Sequence, residues 1–211
     1  MRPPLVVLAT RSLGKLHELR PMFARAGIRA IDLDEAGIRE QPAEEGLEAY
    51  ETFEENAAAK ARYFHGLARL PVVADDSGLE VSALDGRPGV RSKRWSARLD
   101  LSGRALDAAN NDTLLRALTG VADRRARYVC VAAYLDCDGI VLRRAEVSGR
   151  IVDVPRGHGG FGYDPYFEVD GLGRTFGESD ETEKEAYSHR GRAMRALFDA
   201  LGRGRVSGDT G

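Results

Sequence analysis

The sequence is poor in cysteine, with Cys130 and Cys137 the only two thiols in 211 residues. Two cysteines without zinc-type spacing build neither a zinc site nor a disulfide framework, and they point to a reducing compartment. None of the four histidines has zinc-type spacing either. Long hydrophobic runs are also missing. The run Leu5 to Ala9 near the N-terminus is too short for a signal peptide or a membrane span. A soluble, cytoplasmic protein with no membrane partner is therefore expected. Nor is there an excess of positive charge. Lysine and arginine number 31 against 33 acidic residues, a net charge of -2, so bulk charge does not argue for a nucleic-acid partner. A pocket for one small anion needs only a few local cations and is not excluded.

What is present is ordinary for a globular protein, at 43% hydrophobic and 30% charged residues. The length suits one large domain or two small lobes around a shared sheet. Leu5-Val6-Val7-Leu8-Ala9 reads as a buried strand. Leu16, Leu19, Phe23 and Ala26 then recur at helical spacing from Lys15 on, with Pro21 either kinking that helix or delaying its start. Thr52 and Glu55 form a capping box for a helix ending near Gly66. Val72-Val73-Ala74 reads as a strand that ends at Asp75 and Asp76, and residues 79–84 as another short strand. A helix follows Ser102. Tyr128 to Leu135 and Ile140 to Val147 read as a hairpin, and one last helix spans Thr182 to Leu201. Mixed strands and helices place the chain in the α/β class.

Five groups of residues carry chemistry. Thr10, Arg11, Ser12, Leu13, Gly14 and Lys15 lie between a strand and a helix, where hydroxyls, a glycine, a lysine and free helix amides make a phosphate cradle or, equally, a plain capped turn. The spacing is not that of a Walker A loop. Asp75-Asp76-Ser77-Gly78 puts two carboxylates at a strand end, on opposite sides if the backbone is extended. One carboxylate can bind magnesium or act as a base, unless the stretch is a simple Asp-Ser-Gly turn. The acidic stretch from Glu44 and Glu45 to Glu55 is a solvated face that could lend one carboxylate to a metal. Gly157 to Pro165 contains a formal GxGxxG, but Pro165 and Phe167 follow where a dinucleotide fold needs a helix. Its glycines and Phe161 suit a loop against which a flat ring can stack, or a hairpin with core aromatics. Lys184, Ser188, His189 and Arg190 supply donors for a base or a phosphate, or form a surface charge cluster.

In their order and spacing these segments resemble the Ham1/ITPase-like family, the non-canonical purine nucleoside triphosphate pyrophosphatases. The resemblance runs from Leu5 to about Leu201. It is carried by Thr10 to Lys15, Thr52-Phe53-Glu54-Glu55-Asn56-Ala57, Asp75 to Leu79, Gly86-Arg87-Pro88-Gly89-Val90, Gly160 to Pro165, and Ser188-His189-Arg190. It implies an elongated mixed β-sheet flanked by helices, with two lobes and a substrate cleft between them. The expected organisation is a single domain over residues 1–201 and a flexible tail over 202–211. It further implies a homodimer that hydrolyses ITP, dITP and XTP to the monophosphate and pyrophosphate with Mg2+. By position, Thr10 to Lys15 would hold the triphosphate. Asp76 would be the catalytic, metal-associated acid and Ser77 a substrate contact. Phe161, Gly162, Tyr163 and Asp164 would form the base loop, while Lys184, His189 and Arg190 would contact substrate, the last two near the purine. Two departures stand out: Ser12 replaces the family's usual asparagine, and the stretch between Glu45 and Thr52 is longer than usual. Glu45 is chosen as the second metal ligand, with Glu44 the alternative. Donors aimed at the purine O6 would reject adenine, whose amino group leaves them unpaired. Two other readings are a pyrophosphatase for modified pyrimidine nucleotides and a nucleotide-binding protein without hydrolysis.

Overall fold

The computed structural model describes residues 5–206, with side chains through residue 202. The elements in chain order are β1 (Leu5–Leu8), α1 (Leu13–Arg25), β2 (Arg29–Asp32), α2 (Phe53–Ala68), β3 (Val72–Val81), α3 (Gly103–Ala117), β4 (Arg125–Asp136), β5 (Gly139–Ile151), β6 (Phe167–Val169), α4 (Glu181–Tyr187) and α5 (His189–Val206). The strands form a six-stranded mixed sheet in the order β2-β1-β3-β4-β5-β6. β1 runs parallel to both neighbours, with Leu8 opposite Asp32 on one side and Val73 on the other. β6 lies antiparallel to β5, with Ile151 opposite Phe167. This is the mixed sheet with flanking helices that the sequence pointed to.

The chain divides into two compact units. Within the described residues the first comprises residues 5–76, 130–145 and 190–206, and the second residues 77–129 and 146–189. Each has its own core. In the first, Leu8, Phe23, Val73, Met194 and Leu197 are buried together. α1 contributes Leu19, Met22 and Phe23, which fall on one face at helical spacing. In the second, Leu79, Leu114, Leu118, Phe167 and Phe176 are buried together, and the Tyr128 ring lies 4.7 Å from that of Phe167.

Four local expectations change. α1 begins at Leu13, behind a cap in which Ser12 Oγ accepts the Lys15 N–H at 3.4 Å, and it runs through Pro21 rather than starting late. β3 does not stop at the aspartates but continues to Val81, and residues 82–84 are a 3-10 helix instead of strand. Two carboxylates can lie in mid-strand because cations compensate them, as described below. The last helix is two: Ser188 is extended at φ -70°, ψ 155°, and its N–H closes α4 on the Lys184 carbonyl at 2.8 Å. Finally, α5 reaches Val206, so the expected tail is helical to that residue, and residues 207–211 lie outside the described residues. No helix among the described residues is long and apolar enough to cross a membrane.

Gly149 marks the tightest strand contact. A Cβ there would lie 2.2 Å from the backbone oxygen of Glu168 and 2.7 Å from the Phe167 ring. Gly149→Ala is expected to cost about 3 kcal/mol, the upper end for overpacking. A urea midpoint equal to that of the unsubstituted protein would contradict this packing.

Candidate active site

β3 delivers its aspartates to different partners, as the alternation of an extended chain requires. Asp75 Oδ2 accepts Lys15 Nζ at 3.0 Å and Arg190 Nε at 3.3 Å, with the Cys130 thiol at 3.8 Å. Its Oδ1 is buried and has no partner. Asp76 Oδ2 accepts Asn56 Nδ2 at 3.0 Å, and its Oδ1 accepts Lys60 Nζ at 3.3 Å. Lys60 also donates to Glu48 Oε1 at 2.8 Å and to the Asp75 carbonyl at 2.6 Å. Arg190 completes the network through Glu18. All these residues belong to the first unit.

The two buried carboxylates are not equivalent. Burial pushes both up, since it penalises the charged form. At Asp75 the cations Lys15, Arg190 and Lys60 outweigh burial and hold the carboxyl well below the usual range. At Asp76 burial wins over Lys60 and Lys15, with Glu48 adding to it, and the carboxyl sits above the usual range. The two neighbours thus shift in opposite directions, with Asp75 the more firmly held as an anion.

The first loop closes around this centre. Thr10 Oγ1 accepts the Ser12 N–H at 3.2 Å, and Ser12 caps the helix that carries Lys15. Gly14 is half-buried, whereas Leu13 is strongly exposed. Arg11 makes a two-point bond to Glu44 at 2.9 and 3.1 Å, and also reaches Asp34 and the Ile38 carbonyl. It ties the loop to the acidic segment. Glu44 is engaged there, and Glu45 is exposed on the 3-10 helix Pro42–Gly46. Among the described residues, the glutamate that shares a cation with Asp76 is Glu48.

The second unit holds the glycine-rich loop. Asp164 is buried, and its Oδ2 accepts the Phe161 N–H at 2.7 Å and Lys184 Nζ at 2.5 Å. Lys184 Nζ lies 4.9 Å from the centre of the Phe161 ring, a cation–π contact. Gly160 is required here: its φ is +70°, and a Cβ would fall 2.1 Å from Asp164 Oδ2. Asp164 begins a 3-10 turn rather than a long helix, in keeping with the rejected dinucleotide motif. Tyr163 is buried in the core, and its hydroxyl donates to the Ser92 carbonyl at 2.7 Å. It props the loop from inside. Ser77 is half-buried on β3.

His189 and Arg190, adjacent in sequence, part company. The His189 ring stacks on Tyr128 at 4.5 Å in the second unit. Arg190, buried in the first, is a partner of Asp75 and Glu18. The extended Ser188 ends α4 just before them, so the pair begins a new helix.

A sequence profile described as the Ham1 family matches residues 6–200, nearly the whole chain. The chain belongs to the Ham1 family. A dITP/XTP pyrophosphatase of Burkholderia pseudomallei is 46% identical, covering 93% of this chain and 93% of its own length. One from Thermus thermophilus is 44% identical over 95% of this chain and 93% of its own. Among solved structures, a Ham1 protein from Coxiella burnetii superposes with a TM-score of 0.80 at 35% identity, covering 95% of this chain and 99% of that one.

The roles of Asn56 and Lys60 in this Ham1 chain were not read from the sequence, and Glu48 was read only as one of an acidic stretch. A signal existed for two of them. Asn56 and Lys60 are four apart on α2 and fall among the buried Ala57, Ala58 and Ala61, where a solvated helix face would not put polar groups. Glu48 was hidden by the lengthened loop.

The pH dependence of stability tests the Asp75 cluster. Its folded-state pKa is depressed, so its contribution is present above the unfolded value of about 3.9 and is lost as pH falls toward the folded one. Asp75→Asn removes the carboxylate that Lys15 and Arg190 share, leaving Arg190 with Glu18, and should cost about 3 kcal/mol. In urea titrations the deficit should be constant from about pH 5 to 9 and shrink below about pH 4. A deficit that grows on acidification would contradict the assignment.

Proposed function

We propose that this chain is a magnesium-dependent nucleoside triphosphate pyrophosphatase, cutting non-canonical purine nucleotides such as ITP, dITP and XTP between the α and β phosphates. The observation that carries the reading is the buried Asp76 carboxylate, held by Asn56 and Lys60, with Lys15 on the neighbouring carboxylate. The names of the relatives, dITP/XTP pyrophosphatases, support the same substrate class.

The donor set suits magnesium. This ion needs one or two carboxylates, with water and substrate oxygens filling its other positions. Glu48 and Asp76 converge on one point, the Lys60 ammonium, so two carboxylates already face a shared positive charge. Among the described residues no larger cluster of histidine, cysteine or carboxylate ligands is gathered. Asp76 and Glu48 would hold the ion, which when bound supplies Lewis-acid neutralisation of phosphate charge.

The chain's own residues do the rest. Lys15 and the first amides of α1 bind phosphate oxygens, where the helix end favours anions. Asp75 keeps Lys15 in place, and Glu18 with Arg190 keeps Asp75 in place. Asp76, directly or through a water that it orders, accepts a proton from the attacking water. Asn56 fixes the orientation of that carboxylate. In the second unit, Phe161 offers its ring to the purine, and Lys184 and His189 stand nearest that loop and Tyr128 as polar contacts. Discrimination against adenine rests on donors that its amino group would leave unpaired. A homodimer and a cytoplasmic location belong to the same proposal.

The experiment is pyrophosphate release from ITP, dITP, XTP, GTP, ATP and dTTP, with magnesium and with EDTA. Release from the inosine and xanthosine nucleotides, abolished by EDTA, is expected. Binding of ITP without release from any nucleotide would contradict hydrolysis, and preference for a pyrimidine would contradict the purine assignment.

A further inference from the structure

α3 carries two polar side chains that neither the phosphate chemistry nor the aromatic loop has so far used. Asp107 and Asn111 are four apart and share one helix face. Both reach the same residue of the glycine-rich loop. Asp107 Oδ2 accepts the Gly162 N–H at 2.9 Å, and Asn111 Nδ2 donates to the Gly162 carbonyl at 2.9 Å. One helix thus holds both backbone groups of a single residue. Gly162 has φ +64°, and nothing lies within 4 Å of where its Cβ would be. Hydrogen bonds from α3, not crowding, therefore fix this turn.

The residue before it is Phe161. Its own N–H is held by Asp164, and the peptide that follows it is held by Asp107. The backbone is pinned on both sides of the Phe161 Cα, so the direction of the ring follows from α3. The helix is itself anchored. Leu114 is fully buried, and Asn110 accepts the Ser96 N–H at 2.8 Å while donating to the Lys93 carbonyl at 3.0 Å.

We propose that Asp107 and Asn111 are positioning residues for base recognition, a two-point clamp on Gly162 that holds the Phe161 ring ready to stack on a purine. The inference rests on the reading of this loop as the base site. A clamp of this kind raises affinity by ordering the loop in advance, since a loop that must order on binding subtracts from the affinity.

The test is calorimetric titration of the full chain with inosine monophosphate, which carries the base, and with inorganic pyrophosphate, which does not. Asp107→Leu and Asn111→Ala should each weaken inosine monophosphate by roughly tenfold, the effect of one lost hydrogen bond of ordinary to charge-assisted strength. Pyrophosphate affinity should stay at the wild-type value. Asp107→Asn, which retains an acceptor oxygen for the Gly162 N–H, should recover most of the loss. Phe161→Ala serves as the control for the base site itself. Wild-type binding of inosine monophosphate by both α3 variants, alongside weakened binding by Phe161→Ala, overturns the clamp and spares the base site. Undiminished binding by Phe161→Ala overturns the base site and the clamp with it. Equal losses for both probes overturn the clamp as a device for the base.

Discussion

The ammonium of Lys60 is the interaction on which the first unit turns. It is buried, and it bonds at once to Glu48, to the Asp76 carboxylate and to the Asp75 carbonyl. Three elements meet there: the loop before α2, α2 itself and β3. Without that charge, the buried Asp76 would lose its cation, and a buried carboxylate without one is costly. The same ammonium, together with Lys15 and Arg190, is why two aspartates can sit inside a strand that continues for five residues past Asp76. Stability is not what such a buried network chiefly supplies, since its Coulomb gain is offset by desolvation. What it supplies here is inequality between neighbours: cations hold Asp75 as an anion, while burial shifts Asp76 the other way.

In the second unit, close approach plays the part that charge plays in the first. Gly160 leaves room for the Asp164 carboxylate, and Gly157 for the Gly177 backbone, whose carbonyl would lie 2.0 Å from a Cβ. Tyr163 props the loop from within, while Asp164 and Lys184 pair beneath Phe161. On the proposed reading, an aromatic ring held over an ion pair, with its neighbouring backbone bonded to α3, needs little reorganisation to receive a flat base. That is the arrangement expected where selection depends on shape and on satisfying each polar edge.

Much of this was legible in the residues. The Thr52 cap, the Ser102 helix start and the hairpin around Asp136 to Gly139 follow local rules that nothing in the tertiary structure opposes. The failures have a common cause. The aspartates were read as ending a strand because local polarity says so, yet cations from α1, α2 and α5 reverse that judgement. The break at Ser188 sets a new helix phase, and the ion pairs of Arg190 with Asp75 and Glu18 are not visible in the residue spacing. Glu48 was lost in a loop whose length carries no register. Motif order identified the family, while the partners of each charged side chain had to come from the fold.

The most direct test of the account is Asp76→Asn. The substitution keeps the shape of the side chain, removes its capacity to take a proton, and leaves Lys15 and the helix amides in place to bind phosphate. The account predicts a folded protein that holds magnesium more weakly and releases pyrophosphate at least about a thousandfold more slowly, within the range for loss of a general base. Turnover at the wild-type rate would remove Asp76 from the chemistry and with it the central claim.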